Sequence, residues 1–125
     1  MSNTIANGLS SLKNAQMNSS IEVKIKYSKF MLEILKVLRD EGYIRGFSLN
    51  KQKIFVYLKY FNKRPVLSDI KIISKSSRRV YLDVPSLIIK NNEPGTYLVS
   101  TSLGLLSSLE AVKRNIGGEV ICHVI

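Results

Sequence analysis

Scarcity does the first sorting in this chain of 125 residues, which has one cysteine, one histidine and no long apolar run. The lone Cys122 excludes an internal disulfide, and its place in an apolar stretch marks it as a buried, reduced thiol. His123 is its neighbour, and on a strand the two side chains point to opposite faces, so they cannot share a metal or act as nucleophile and base. Both are read as packing residues. Asp40 and Glu41 adjoin near a helix end, where solvent exposure suits them better than a coupled carboxylate pair. The glycines follow neither a phosphate-loop nor a dinucleotide spacing. The sequence thus predicts no enzyme, cofactor, metal or small-molecule substrate. Apolar runs of only a few residues predict no membrane helix. The N-terminal segment has neither a hydrophobic signal core nor an Arg-rich amphipathic transit pattern, so the chain is expected to work where it is made.

Acidic residues are scarce as well: 19 basic side chains stand against 9 acidic ones, a formal charge of +10. The excess lies upstream, since residues 1–79 hold 16 basic and 5 acidic side chains whereas residues 80–125 hold 3 and 4. That asymmetry points to an anionic partner. Nucleic acid fits better than a membrane, because the cations are interleaved with strands and no strongly amphipathic surface helix is evident. An AT-rich genome that inflates Lys and Ile without any binding role is the competing explanation of charge taken alone.

The periodicity predicts an α+β fold with an N-terminal α-β-α-β-β half, residues 1–64, packed against a mostly β half, residues 65–125, with one short helix. Ile5, Leu9, Leu12 and Gln16 trace a helical stripe, and Ile21 to Tyr27 alternates as a half-buried strand does. Ser28 caps a second helix whose apolar face uses Met31, Leu32, Leu35 and Leu38, and Gly42 ends it. Strands are expected at Tyr43 to Leu49 and Lys53 to Tyr60, joined by Asn50-Lys51-Gln52. Beyond Pro65, Ile70 to Ser74 and Arg79 to Leu82 read as short strands around a polar Lys75 to Arg78 link, with room for a turn of helix after Asp83.

The last third is the most informative. Thr96 to Val99 is a β-prone run that feeds Ser100, Thr101 and Ser102 before Gly104. Ser107 precedes Glu110 by the spacing of a capping box, so a short helix starts there and ends near Asn115. Gly117-Gly118 is read as a positive-φ turn into a strand from Glu119 to Ile125 that is apolar on both faces. Hydroxyls at a strand end have two uses: they meet ribose, phosphate and base edges of an irregular RNA surface, or they cap the strand and the next helix.

This stretch resembles the C-terminal signature of the small-ribosomal-subunit protein eight family, rRNA-binding components of bacterial-type ribosomes. The matching residues are Gly95, Leu98-Val99, Ser100-Thr101, Gly104-Leu105-Leu106, Ala111 and Asn115-Ile116-Gly117-Gly118-Glu119-Val120-Ile121-Cys122. Ile5-Ala6, Lys13-Asn14-Ala15, Ser28-Lys29 and Glu41-Gly42-Tyr43-Ile44 fall where the family's first two helices carry such residues, so the likeness spans essentially the whole chain. It implies a structural role on small-subunit rRNA, among neighbouring small-subunit proteins. Ser100, Thr101, Ser102, Gly104, Gly117 and Gly118 would meet a distorted stem in the rRNA central domain. Lys13, Asn14, Ser28 and Lys29, at a helix end and a helix start, would hold phosphate. Tyr81, beside Arg78 and Arg79, lies where the family places an aromatic next to RNA, and stacking or half-buried packing both remain open for it. The free binding of a messenger that imitates the rRNA stem is the alternative function.

Three departures from the family pattern stand out. Ser76-Ser77 replaces Pro-Gly, which suggests a less rigid turn; Leu103 replaces a Lys after the hydroxyl triplet; and Ser108 and Leu109 stand where an acidic or His residue and a base are usual. Lost charge near the hydroxyls suggests drifted contacts or an additional protein covering Leu103 and Leu109. Together with the Ile-, Asn- and Lys-rich composition, this fits a mitochondrial ribosome, with plastid or bacterial cytoplasm as alternatives.

Overall fold

The computed structural model describes residues 3–75 and 77–125. The fold is α+β, in two compact units, one ending at Asp69 and the other beginning at Ile70. Ser76, in the expected polar link, lies outside the described residues.

The first unit runs α1 (Asn3–Met17), β1 (Glu22–Lys26), α2 (Lys29–Asp40), β2 (Ile44–Asn50) and β3 (Lys53–Leu58), the order the periodicity predicts. Its three strands form an antiparallel sheet in the order β1-β3-β2. Period-two alternation puts Ile54, Val56 and Leu58 of β3 on the buried side, while Ile5, Leu9 and Leu12 of α1 and Met31, Ile34, Leu35 and Leu38 of α2 are buried at helical spacing. Gly8 lets α1 come close: a Cβ there would lie 2.8 Å from Met31 Sδ. Fully burying one such aliphatic side chain contributes about 1.5–3 kcal/mol, so this core is the main stabilising term of the unit.

Both ends of α2 are capped. Ser28 Oγ accepts from the Met31 N–H at 3.0 Å, and at the other end of α2 Gly42 takes φ 84 while Gly42 and Tyr43 donate to Arg39 and Leu38 carbonyls. The third expected strand stops at Leu58 and is followed by a separate ribbon, β4 (Tyr60–Phe61) and β5 (Arg64–Pro65). Asn62 (φ 50) and Lys63 (φ 66) turn it in the left-handed region without a glycine, which hides the hairpin from a sequence reading.

In the second unit β6 (Ile70–Ile72), β7 (Tyr81–Leu82), α3 (Val84–Lys90), β8 (Thr96–Thr101), β9 (Gly104–Ser107), α4 (Ser108–Lys113) and β10 (Gly118–Val124) follow in turn. β10 is the organising strand: β8 lies on one edge, extended by β9, and β7 and β6 share the other. Leu87, Tyr97, Val99, Ala111 and Val120 form one core cluster, with Leu82, Leu106 and Ile116 packed against it. The turn of helix expected after Asp83 becomes α3, capped by the Asp83 carboxylate, which accepts from the Ser86 N–H at 3.0 Å. Ser107 caps α4 by accepting from Glu110 N–H at 3.2 Å. Cys122 is fully buried and desolvation pushes its thiol up to about 12. His123 faces the other way, stacked on Tyr97 with centroids 4.1 Å apart, its Nε2 2.8 Å from the Pro94 carbonyl oxygen.

Candidate nucleic-acid interface

The start of β10 gathers one group of sequence-predicted residues. Glu119 stands opposite Tyr81 of β7 on one side and Ser100 of β8 on the other, and directly opposed residues share a sheet face. Tyr81 is 66% exposed, so its ring is not packed as half-buried core. Arg79 Nη1 lies 3.4 Å from Glu119 Oε1. The Glu119 side chain is only 13% exposed, and its Oε2 is buried with no partner among the described residues. A row of aromatic ring, carboxylate and hydroxyl results, with a guanidinium beside it. The sequence reading missed Glu119, because its burial depends on two strands distant in the chain.

Ser100 leads into the β8–β9 hairpin, which turns through Ser102 and Leu103. Thr101 closes this turn: its hydroxyl donates to the Gly104 carbonyl oxygen (2.7 Å) and accepts from the Leu103 N–H (3.1 Å). That assigns Thr101 the capping use of a strand-end hydroxyl. Ser100 and Ser102 are different, since neither hydroxyl makes a hydrogen bond to another described residue. Gly104 is required by conformation, with φ 105 and nothing within 4 Å of the place of a Cβ.

The glycine pair at the entry of β10 corrects the sequence expectation. Neither Gly117 nor Gly118 has positive φ; the left-handed residue is Asn115 (φ 55), and the N–H groups of Asn115 and Ile116 donate to the Val112 and Ala111 carbonyls as in a Schellman end. The glycines are needed for space instead. A Cβ on Gly117 would lie 2.5 Å from the Leu82 carbonyl oxygen, and one on Gly118 would collide with that of Ser100. Glycine here lets β10 enter between β7 and β8, which builds the row just described.

Ser74 is a second residue that the sequence did not single out. Its buried hydroxyl donates to the Val120 carbonyl oxygen (2.6 Å) and accepts from the Val80 N–H (3.0 Å), and Val120 N–H donates to the Val80 carbonyl (2.9 Å). Lys75 and Arg78 exchange two backbone hydrogen bonds of 2.8 and 3.0 Å. Arg78 is therefore fixed to Lys75 through its backbone, and Arg79 follows it directly.

The other predicted site residues belong to the first unit. Lys13 on α1 pairs with Asp69 at 3.1 Å, both half exposed, a geometry in which solvent screening leaves little net energy. Asn14 and Lys29 are exposed, Lys29 as the first residue of α2. Ser28 spends its hydroxyl on the cap.

A family model described as Ribosomal protein S8 matches residues 3–125. The chain belongs to this ribosomal protein S8 family. Its relatives include the small ribosomal subunit protein uS8 of Nautilia profundicola, 40% identical over 129 residues that cover 99% of this chain and 98% of that protein. The uS8 proteins of Ehrlichia chaffeensis (39% over 129 residues) and Oleidesulfovibrio alaskensis (36% over 124 residues) cover the same shares. Leu103 and Leu109, which the sequence reading takes as departures from the family pattern, lie on the surface of the second unit, 60% and 53% exposed.

Proposed function

We propose that the chain is a structural, non-catalytic constituent of the small subunit of a bacterial-type ribosome, where it binds a distorted stem in the central domain of the small-subunit rRNA and supports assembly. The observation that carries this reading is the pair of uncommitted hydroxyls, Ser100 and Ser102, beside the Tyr81–Glu119 row. Hydroxyls donate and accept, so they fit 2′-hydroxyls and phosphate oxygens of a specific irregular surface. The Tyr81 ring offers a base or sugar a stacking face, and the Glu119 carboxylate holds the Arg79 guanidinium beside it. Arg78 and Arg79 contribute charge there. Lys13 and Lys29, with Asn14 beside them, attract the phosphate backbone without reading it, by displacing counterions. Gly104, Gly117 and Gly118 shape the backbone, while Thr101 and Ser28 hold their turn and helix start in place.

Leu103 and Leu109 meet a neighbouring small-subunit protein in this reading, since apolar residues beside RNA need cover. The Ile-, Asn- and Lys-rich composition and these lost charges favour a mitochondrial ribosome. Sedimentation tests the proposal: the tagged chain should travel with small subunits through a salt wash. Absence from ribosomal fractions, with retained affinity for a messenger stem, would instead indicate a free RNA-binding regulator.

A further inference from the structure

We propose that the β4–β5 hairpin is a separate RNA contact, which takes an unpaired nucleotide by stacking its base on Phe61 and holding its phosphates with Lys59, Lys63 and Arg64. Phe61 is 72% exposed at the end of a two-residue strand. Arg64 stands directly opposite it across the ribbon, so ring and guanidinium share one face. With Lys59, Tyr60, Pro65 and Val66 they line an open hollow of about 510 Å³, and none of the six is acidic. Lys63 is exposed in the turn between them.

The ribbon is held in place rather than left to sway. Tyr60 Oη donates to the Ser20 carbonyl oxygen at 2.5 Å, and Val66 N–H donates to the Lys59 carbonyl at 3.0 Å. An exposed ring on an anchored support, ringed by cations, matches the two faces of a single-stranded nucleotide, an apolar π surface and a phosphate. A protein partner covering Phe61 would have to desolvate these cations, which is costly unless it brings carboxylates of its own. Every base offers a π face, so this contact tolerates any sequence. It belongs to a different unit from Ser100 and Ser102 and rests on the proposed function only for the class of partner.

The chain contains no tryptophan, so Phe61→Trp installs a unique fluorophore at this spot. The full chain carrying it would be titrated with single-stranded oligoadenylate and with a blunt RNA duplex of equal length. Oligoadenylate should quench the indole saturably and the duplex should not. Phe61→Ala in the native background should weaken oligoadenylate binding by about tenfold, with Phe61→Tyr retaining it. Arg64→Ala should flatten the plot of log affinity against log salt by about 0.7. Adding Ser100→Ala and Ser102→Ala to the fluorescent variant should leave the quenching unchanged. An indole silent to oligoadenylate, quenched equally by duplex, or quenched only by small-subunit proteins would overturn the inference. Silence with the central-domain stem still bound defeats this inference alone, whereas quenching with the stem unbound supports it and defeats the proposed function instead.

Discussion

Gly118→Ala puts one methyl group where the entry of β10 has no room. The added carbon would collide with the Ser100 carbonyl oxygen and lie 3.0 Å from its carbonyl carbon, and both belong to the backbone of β8. No side chain can swing aside, so the strands must part. Overpacking of this kind costs about 1–3 kcal/mol, and each ladder hydrogen bond broken in parting adds about 1 kcal/mol. A total of about 2–4 kcal/mol follows from those two contributions. Gly46→Ala is the internal control, with nothing within 4 Å of its Cβ position and no positive φ, and should stay within about 0.5 kcal/mol of the parent. Gly104→Ala separates conformation from space: it meets no atom, yet its φ of 105 should cost about 1–3 kcal/mol in strain. Urea unfolding at constant slope would measure all three. Gly118→Ala should also lose affinity for the rRNA stem, since Ser100 moves with β8. If Gly118→Ala proves as stable as Gly46→Ala, the steric account of the glycine pair is wrong.

The remaining expectations are briefer. Thr101→Val removes both hydrogen bonds that close the β8–β9 turn and should cost about 1–2 kcal/mol in unfolding, whereas Ser102→Ala should leave stability unchanged. Glu119→Gln keeps the shape but removes the charge that holds Arg79 beside Tyr81, so affinity for the cognate stem should fall a few-fold; unchanged affinity would deny the Arg79–Glu119 pair a positioning role. The Cys122 thiol is raised from an ordinary 9.0 to about 12 in the folded chain, so its contribution to stability is complete below pH 9 and is lost as pH rises from there towards 12. At neutral pH its alkylation by a maleimide should therefore track global unfolding, and rapid labelling of folded protein would contradict its burial. Leu103→Lys should preserve stability and bind isolated RNA at least as well, yet impair incorporation into subunits; normal incorporation counts against a covering protein.

Local signals carried far in this chain. Ser28, Gly42 and the Ser107–Glu110 spacing act within one turn of their own helix, and each performs the capping or terminating job its position suggests. Alternation gave away β1, whose charged side chains face outward at every second position, and an apolar run on both faces gave away β10. What stayed hidden depends on residues distant in sequence. Gly117 and Gly118 look like a turn until β7 and β8 are seen to close on them, while the residue that does turn is Asn115. Ser74 and Glu119 draw their roles from partners across β10, and Asn62-Lys63 makes a hairpin without the glycine that would announce it. Thr101 and Ser102 are neighbours of the same chemistry, and only the hydrogen bonds of the turn distinguish the closing hydroxyl from the available one.

The central claim is that neutral hydroxyls in one unit read the RNA while cations in the other attract it. Titrating the rRNA stem and an unrelated duplex at several salt concentrations, with Ser100→Ala/Ser102→Ala and Lys13→Ala/Lys29→Ala double variants, tests it most directly. The serine pair should lower cognate affinity about tenfold or more, from roughly 0.5–1.5 kcal/mol per hydrogen bond, without moving the salt slope. The lysine pair should weaken both RNAs alike and flatten the slope by about one unit for each phosphate no longer neutralised, with Lys13 contributing less because Asp69 already partners it. A serine pair that changes the slope, together with a lysine pair that changes selectivity, would contradict the account.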